Sequence, residues 1–234
     1  MTEHHDVVSH EDWLKARTAL LDEEKEFTRL RDELSRKRRE LPWEAVEKEY
    51  VFDGRRGKQT LSELFDGRTQ LIVYHFMFGP DDDEGCKSCS FWADNFDRNI
   101  VHLNARDVSM VAVSRAPYHK LAAYRERMGW SFEWLSSGGN DFNFDYGVSF
   151  TPEERETEGF YNYAHQSGLP PDREGLSVFS KDDDGNVFHT YSAYARGIDM
   201  VNAAYHYLDL VPKGRDENPR STQSWVRRRD EYGS

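Results

Sequence analysis

Apolar and polar positions change their period several times along the chain, and each change marks an element. From Ser9 to Leu41, apolar residues recur every seven positions at Trp13, Leu20, Phe27, Leu34 and Leu41, with Ala16 and Leu30 beside them. That spacing predicts one long helix, capped by Ser9 and stopped before Pro42, with Glu11 and Asp12 at the positive end of its dipole. Its narrow stripe suits packing on the chain's own domain or a dimerisation arm, a homodimer through helix 9–41. Tyr50-Val51-Phe52 and Lys58–Leu61 then flank a turn at 53–57, which predicts a hairpin. Leu61, Leu64 and Phe65 form a short helical turn that ends at Gly67. Apolar runs at 70–78 and 108–113 predict buried strands, and Phe132–Leu135 a shorter third. Between them, Phe91, Trp92, Asn95, Phe96, Asn99, Ile100 and Leu103 follow helical spacing, as do residues 117–128 behind Pro117.

Strands alternating with helices predict an α/β layered domain. Phe142-Asn143-Phe144-Asp145-Tyr146 alternates like a half-buried strand, and after Val148 the pattern lapses for roughly 25 residues, long enough to expect a functional loop. Gly175–Phe179 and Asn186–Tyr191 flank Lys181-Asp182-Asp183-Asp184-Gly185, a second hairpin signal. Met200, Val201, Ala204, Tyr205 and Leu208 share one face of a last helix. Residues 212–234 are polar and predict a tail, with Trp225 packed somewhere and Arg227-Arg228-Arg229 solvated. The organisation expected is a helical extension over 1–45, an α/β domain over 46–211 and a polar tail over 212–234.

Composition narrows the function classes. A net charge of −12 argues against nucleic-acid binding, and 14% aromatic residues argue for a folded core rich in rings. No run of about 18 apolar residues is present, so no membrane span is expected. Residues 1–40 are charged throughout, so no signal peptide is expected either, and a cytoplasmic address follows.

The chain has two cysteines, and both fall in Cys86-Lys87-Ser88-Cys89, where the strand at 70–78 runs into a helix. A chance pair takes that spacing about once in 100 chains of this length, so the cluster marks a dithiol redox site. Cys86 at the helix N-terminus would meet unpaired backbone N–H groups, and Lys87 adds a cation; both lower its pKa. Asp81-Asp82-Asp83-Glu84 oppose them through screening solvent. Cys89, one turn inside, would resolve a mixed disulfide, with His75 as the candidate base unless it is a core histidine satisfied by backbone. A structural zinc would need two more ligands, from His75, His102 or His165, because the His4-His5 pair sits at the N-terminus. The acid run lacks calcium-loop spacing and suits a solvated loop. No metal and no cofactor are expected.

The order hairpin, strand, CxxC helix, strand, helix, strand, hairpin, helix resembles the thioredoxin fold in its peroxiredoxin-like form. Asp53-Gly54 with Leu61-Ser62-Glu63-Leu64-Phe65, and Tyr146-Gly147-Val148, are similar to segments of such proteins. Gly85-Cys86-Lys87-Ser88-Cys89-Ser90-Phe91-Trp92, with His75-Phe76-Met77-Phe78-Gly79-Pro80 and Ser114-Arg115-Ala116-Pro117, resembles an uncharacterised bacterial thioredoxin-like family of predicted dithiol-disulfide oxidoreductases. The resemblance implies a three-layer sandwich with an N-terminal hairpin and a long N-terminal helix. It also implies exchange of the dithiol with a disulfide-containing protein or a small thiol partner. Two departures stand out. Glu174 falls where thioredoxins place a cis-proline, with Pro170 and Pro171 earlier, and Tyr74 and His75 stand near their buried acid. A peroxiredoxin-like peroxidase is the rival activity. Arg173 matches its peroxide-polarising arginine, but Asp83 replaces the threonine or serine three residues before the reactive cysteine, and an ionised carboxylate there repels a thiolate. A non-enzymatic module with an idle CxxC is the third alternative. Arg173, Glu174, Tyr161, Tyr163 and His165 are the candidates for the substrate pocket.

Overall fold

A computed structural model describes residues 5–233; His4 and the ends of the expected 1–45 and 212–234 segments lie outside them. The chain divides into two compact units, at Pro42 and Trp43. The first is the long helix α1 (His10–Arg39), whose Ser9 hydroxyl accepts from the Asp12 N–H at 3.1 Å. Glu11 and Asp12 at its start and Arg36–Arg39 at its end complement the helix dipole. Pairs such as Arg36–Glu33 (2.7 Å) cover its sides, and none of its residues is buried, the heptad stripe included.

The second unit begins at Trp43, three residues before the boundary expected at 46. Glu44–Ala45 (β1), expected in the helical extension, pairs instead with a late strand of the sheet. The hairpin follows as β2 (Val51–Gly54) and β3 (Gly57–Thr60), then β4 (Gln70–His75), α2 (Lys87–Phe96), α3 (Ile100–Asn104), β5 (Val108–Ser114), α4 (Tyr118–Met128) and β6 (Glu133–Ser136). Next come α5 (Phe142–Asp145), α6 (Pro152–Glu156), the small hairpin β7 (Gly159–Tyr161) and β8 (Ala164–Gln166), then β9 (Gly175–Lys181), β10 (Val187–Tyr194) and α7 (Ala203–Leu208). One sheet runs β1-β10-β9-β4-β5-β6-β2-β3, with β4, β5 and β6 parallel and β9 antiparallel to β4. One face packs Tyr74, Met110, Ala112 and Leu176 against α2 and α4; the other packs Val73, Val111, Val113 and Phe179 against the hairpin and Phe142. This is the thioredoxin-like α/β sandwich with an N-terminal hairpin and a long N-terminal helix. Among the described residues, no helix is long and apolar enough to cross a membrane.

Three local expectations change. Residues 142–145 are helical, because the Asn140 side chain accepts from the Phe142 N–H (2.9 Å) and Phe142 and Asn143 are both buried, which an alternating strand forbids. The lapse after Val148 is ordered: Thr151 and Glu154 make a reciprocal capping box, and Asn162 and Tyr163, both at positive φ, turn the β7–β8 hairpin. The last helix is split into a 3-10 turn (Ala195–Val201) and α7, because the buried Asn202 side chain caps α7 at the Tyr205 N–H (3.2 Å).

Residues 212–233 are not a loose tail. Val226 is fully buried, Trp225 donates to Glu217 (2.8 Å), and Arg228, expected to be solvated, is half-buried. Its guanidinium reaches the Tyr124 hydroxyl (2.8 Å), the Gly85 carbonyl (3.1 Å) and Glu84 (2.8 Å). A polar segment stays down here because the Arg228 fork finds matched partners on the domain and the Trp225 ring meets Phe91 of α2 edge-on at 5.5 Å.

Candidate active site

The site is built where β4 stops and α2 starts. Beyond His75 the chain stays extended, held by the Phe76 N–H on Val113 O (2.9 Å) and the Ala116 N–H on Phe78 O (2.8 Å). The loop then turns back, so that the Cys86 N–H reaches Met77 O at 3.1 Å. Gly85 makes the return possible: a Cβ there would meet the rings of Phe76 and Tyr124 at 2.9 Å. The acid run serves its own loop. Asp82 accepts from the Gly79 N–H (2.7 Å), Lys120 binds the Pro80 and Asp82 carbonyls (both 2.8 Å), and Glu84 pairs with Arg127 and Arg228.

Cys86 caps α2 and Cys89 lies one turn inside, both as free thiols. Cys86 is partly exposed, whereas Cys89 is 1% exposed. The Cys86 pKa is lowered to about 7, chiefly by a hydrogen bond from the Cys89 thiol, with the Cys89 and Ser88 backbone N–H groups adding and burial and Glu174 opposing. The Cys89 thiol is pushed well above its ordinary value by burial first, then by Cys86 and Glu174; the Met77 N–H, 3.4 Å from its sulfur, works the other way. The two sulfurs are thus set apart, one easily ionised and one held protonated. Lys87, assigned in the sequence to stabilise the thiolate, has no ion pair among the described residues and lies by the Pro219–Ser224 segment; the helix end and Cys89 do that work.

His75 is not at the site. Successive side chains of a strand point to opposite faces, and Tyr74, not His75, faces the cysteines. Tyr74 is fully buried in the cluster that holds Cys89, and its hydroxyl makes no hydrogen bond of ordinary geometry. His75 stacks on Phe142 and Tyr146 across the sheet and bonds Ser177 at 2.9 Å. Burial, then His189, drops its pKa to about 3, so it stays neutral.

A cavity of about 370 Å³ opens beside Cys89, and the candidate residues Arg173 and Glu174 line it. Arg173 lies 5.3 Å from the Tyr161 ring centre, and its buried Nε–H meets no acceptor among the described residues. Tyr161 donates to the Glu174 carbonyl (2.9 Å) and lies 3.3 Å from its carboxylate, so it backs the site without lining the cavity. Tyr163 and His165 do not belong here. Tyr163 lines a separate cavity of about 580 Å³ with Tyr146, His189 and Tyr194, and His165 is exposed against Phe160 and Glu158. The β7–β8 turn, invisible in the hydrophobic pattern, carries both of them away. Thr222 and Gln223, which wall the cavity, were missed; Trp225 in a polar segment was the one signal that this stretch packs. Among the described residues, no group of three or more potential metal ligands gathers.

Comparison with known proteins gives the following. Peroxidoxin BcpB from Mycobacterium tuberculosis is 15% identical over 70% of this chain and 94% of its own, with a TM-score of 0.45. A cysteine-to-serine mutant of Peroxiredoxin Q from Xanthomonas campestris is 14% identical over 70% and 98%, at 0.47. A mutant of Peroxiredoxin 6 from Arenicola marina is 12% identical over 72% and 74%, at 0.46. No curated protein matches the chain. The family described as "Bacterial protein of unknown function (DUF899)" matches residues 2–232, and the chain belongs to it.

Proposed function

We propose that this protein is a thiol-disulfide oxidoreductase that exchanges the Cys86/Cys89 dithiol with a protein or small-molecule disulfide. The observation that carries it is the asymmetry of the pair: Cys86 is partly exposed at a helix N-terminus with its pKa lowered to about 7, and Cys89 is buried with its pKa raised. The Cys86 thiolate attacks one sulfur of the substrate disulfide, and the first substrate thiolate leaves. Cys89 then loses its proton and attacks the Cys86 sulfur, which forms the intramolecular disulfide and expels the second thiolate. Two electrons and two protons pass from the dithiol to the substrate, and a dithiol reductant restores the pair.

Reduction of insulin with a dithiol as electron source tests the proposal. Activity is expected in the natural protein and absent in Cys86→Ser; equal activity in that variant sinks it. A peroxidase reading has one observation of its own, the buried Arg173 Nε–H without an acceptor beside Cys89. Asp83 in place of a hydrogen-bond donor weighs against it. Peroxide consumption that is lost in Arg173→Ala, without disulfide reduction, would exchange the two readings.

A further inference from the structure

The second exchange step needs an acceptor for the Cys89 proton, and the residue expected to serve lies on the wrong face of the sheet. The register of β9 against β4 supplies another. Tyr74 pairs with Leu176 and His75 with Gly175, and Tyr74 and Leu176 share the cluster that contains Cys89. Glu174 immediately precedes β9 and lines the same cavity as Tyr74 and Cys89. Met77, whose N–H touches the Cys89 sulfur, lines it too. We propose that the Glu174 carboxylate accepts the Cys89 proton during resolution of the mixed disulfide, with Tyr161 as the positioning residue that fixes it.

This inference rests on the exchange reading. The Cys89 S–H bond breaks, its proton moves to the Glu174 carboxylate, and the electron pair left on Cys89 forms the bond to Cys86. The Cys86–substrate bond breaks with its pair on the leaving sulfur, which takes the proton back from Glu174. No outside acid, base or oxidant is consumed. The charged and titratable groups around Glu174 are Tyr161, Arg173, Tyr74 and the two cysteines, with Arg196 and Asp199 also lining the cavity. Asp199 is taken up by Arg215 at 3.0 Å, and Arg196 lies 3.5 Å from it, so neither competes for the proton. Glu174 raises the pKa of both thiols, as a carboxylate close to both must. Tyr161 donates to the Glu174 carbonyl and lies 3.3 Å from its carboxylate, while its own hydroxyl oxygen accepts from the Ala195 N–H at 3.1 Å, which ties Glu174 to the residue that follows β10.

Single-turnover mixing of the reduced full-length protein with a chromogenic bis(nitrobenzoate) disulfide separates the steps. The first equivalent of aryl thiolate reports attack by Cys86 and the second reports resolution by Cys89; Cys89→Ser must give only the first. In Glu174→Gln the first phase should be kept, while the second slows about 100-fold at neutral pH and recovers only toward high pH, where Cys89 ionises unaided. Glu174→Asp should restore part of the second phase, and Tyr161→Phe should slow it without touching the first. A second phase of natural speed and pH profile in Glu174→Gln overturns the assignment, as does equal slowing of both phases. Absence of the first phase in the natural protein overturns the exchange reading instead, so the two failures are distinct.

Discussion

At the scale of the residue, the chemistry turns on two thiols of opposite character only one helical turn apart. Cys86 receives hydrogen bonds that favour its charged form, chiefly from Cys89, while Cys89 pays for burial with a proton it cannot easily lose. The alkylation rate of Cys86 should therefore climb as pH rises through about 7 and level off above it, whereas Cys89 stays unmodified in the folded protein. Mass spectrometry of each cysteine after timed alkylation from pH 5 to 9 reads both. A midpoint at the ordinary thiol value of about 8.5 would mean that nothing activates Cys86. The pairing of a strand end with CxxC was plain in the sequence. Arg173 and Glu174 were legible as candidates, but that Tyr74 faces the sulfurs and His75 does not was hidden, because a one-residue change of parity moves a side chain across the sheet. The β7–β8 turn that removes Tyr163 and His165 leaves no mark in the apolar pattern.

At the scale of the element, the loop before α2 is locked from outside by a segment that composition marked as a tail. Arg228 ties Gly85, Glu84 and Tyr124 together, and the Tyr124 hydroxyl lies 3.0 Å from Ser90, whose own hydroxyl donates to Cys86 O at 2.9 Å. Arg228→Ala removes this bracket. Loss of about 1–3 kcal/mol is expected from the denaturation midpoint, given hydrogen bonds to a charged group that is mostly covered. Alkylation of Cys89 in the folded protein should rise with it. Unchanged protection of Cys89 would show that α2 holds the site unaided. The helix, strand and hairpin elements followed from period and turn residues; the helix at 142–145 and the break at 202 did not, because the Asn140 side chain turns the chain ahead of α5 and the Asn202 side chain caps α7, and both override the pattern of apolar residues.

At the scale of the whole molecule, the two faces of the sheet serve different ends. One holds the dithiol, and the other holds a buried polar chain from His75 through Ser177 (2.9 Å) and Ser192 (2.8 Å) to His189 (2.7 Å). The folded protein keeps His75 neutral, with its pKa lowered from 6.5 to about 3. The unfolded chain takes up that proton near pH 6.5, so this contribution is complete above 6.5 and is lost as pH falls toward 3. One site changes stability by at most about 1.4 kcal/mol per pH unit, or about 2 kcal/mol by pH 5. Urea midpoints at pH 7 and pH 5 should fall farther in the natural protein than in His75→Asn; parallel losses would show that His75 is not the acid-sensitive group. The sequence by itself determined the long capped helix, the alternation of strands and helices, and a dithiol at the junction of strand and helix, since these depend on neighbours a few residues apart. The tertiary structure alone decided which side chains reach the sulfurs, because strand parity, the register of β9 on β4 and the docking of the last residues join positions that no local period connects.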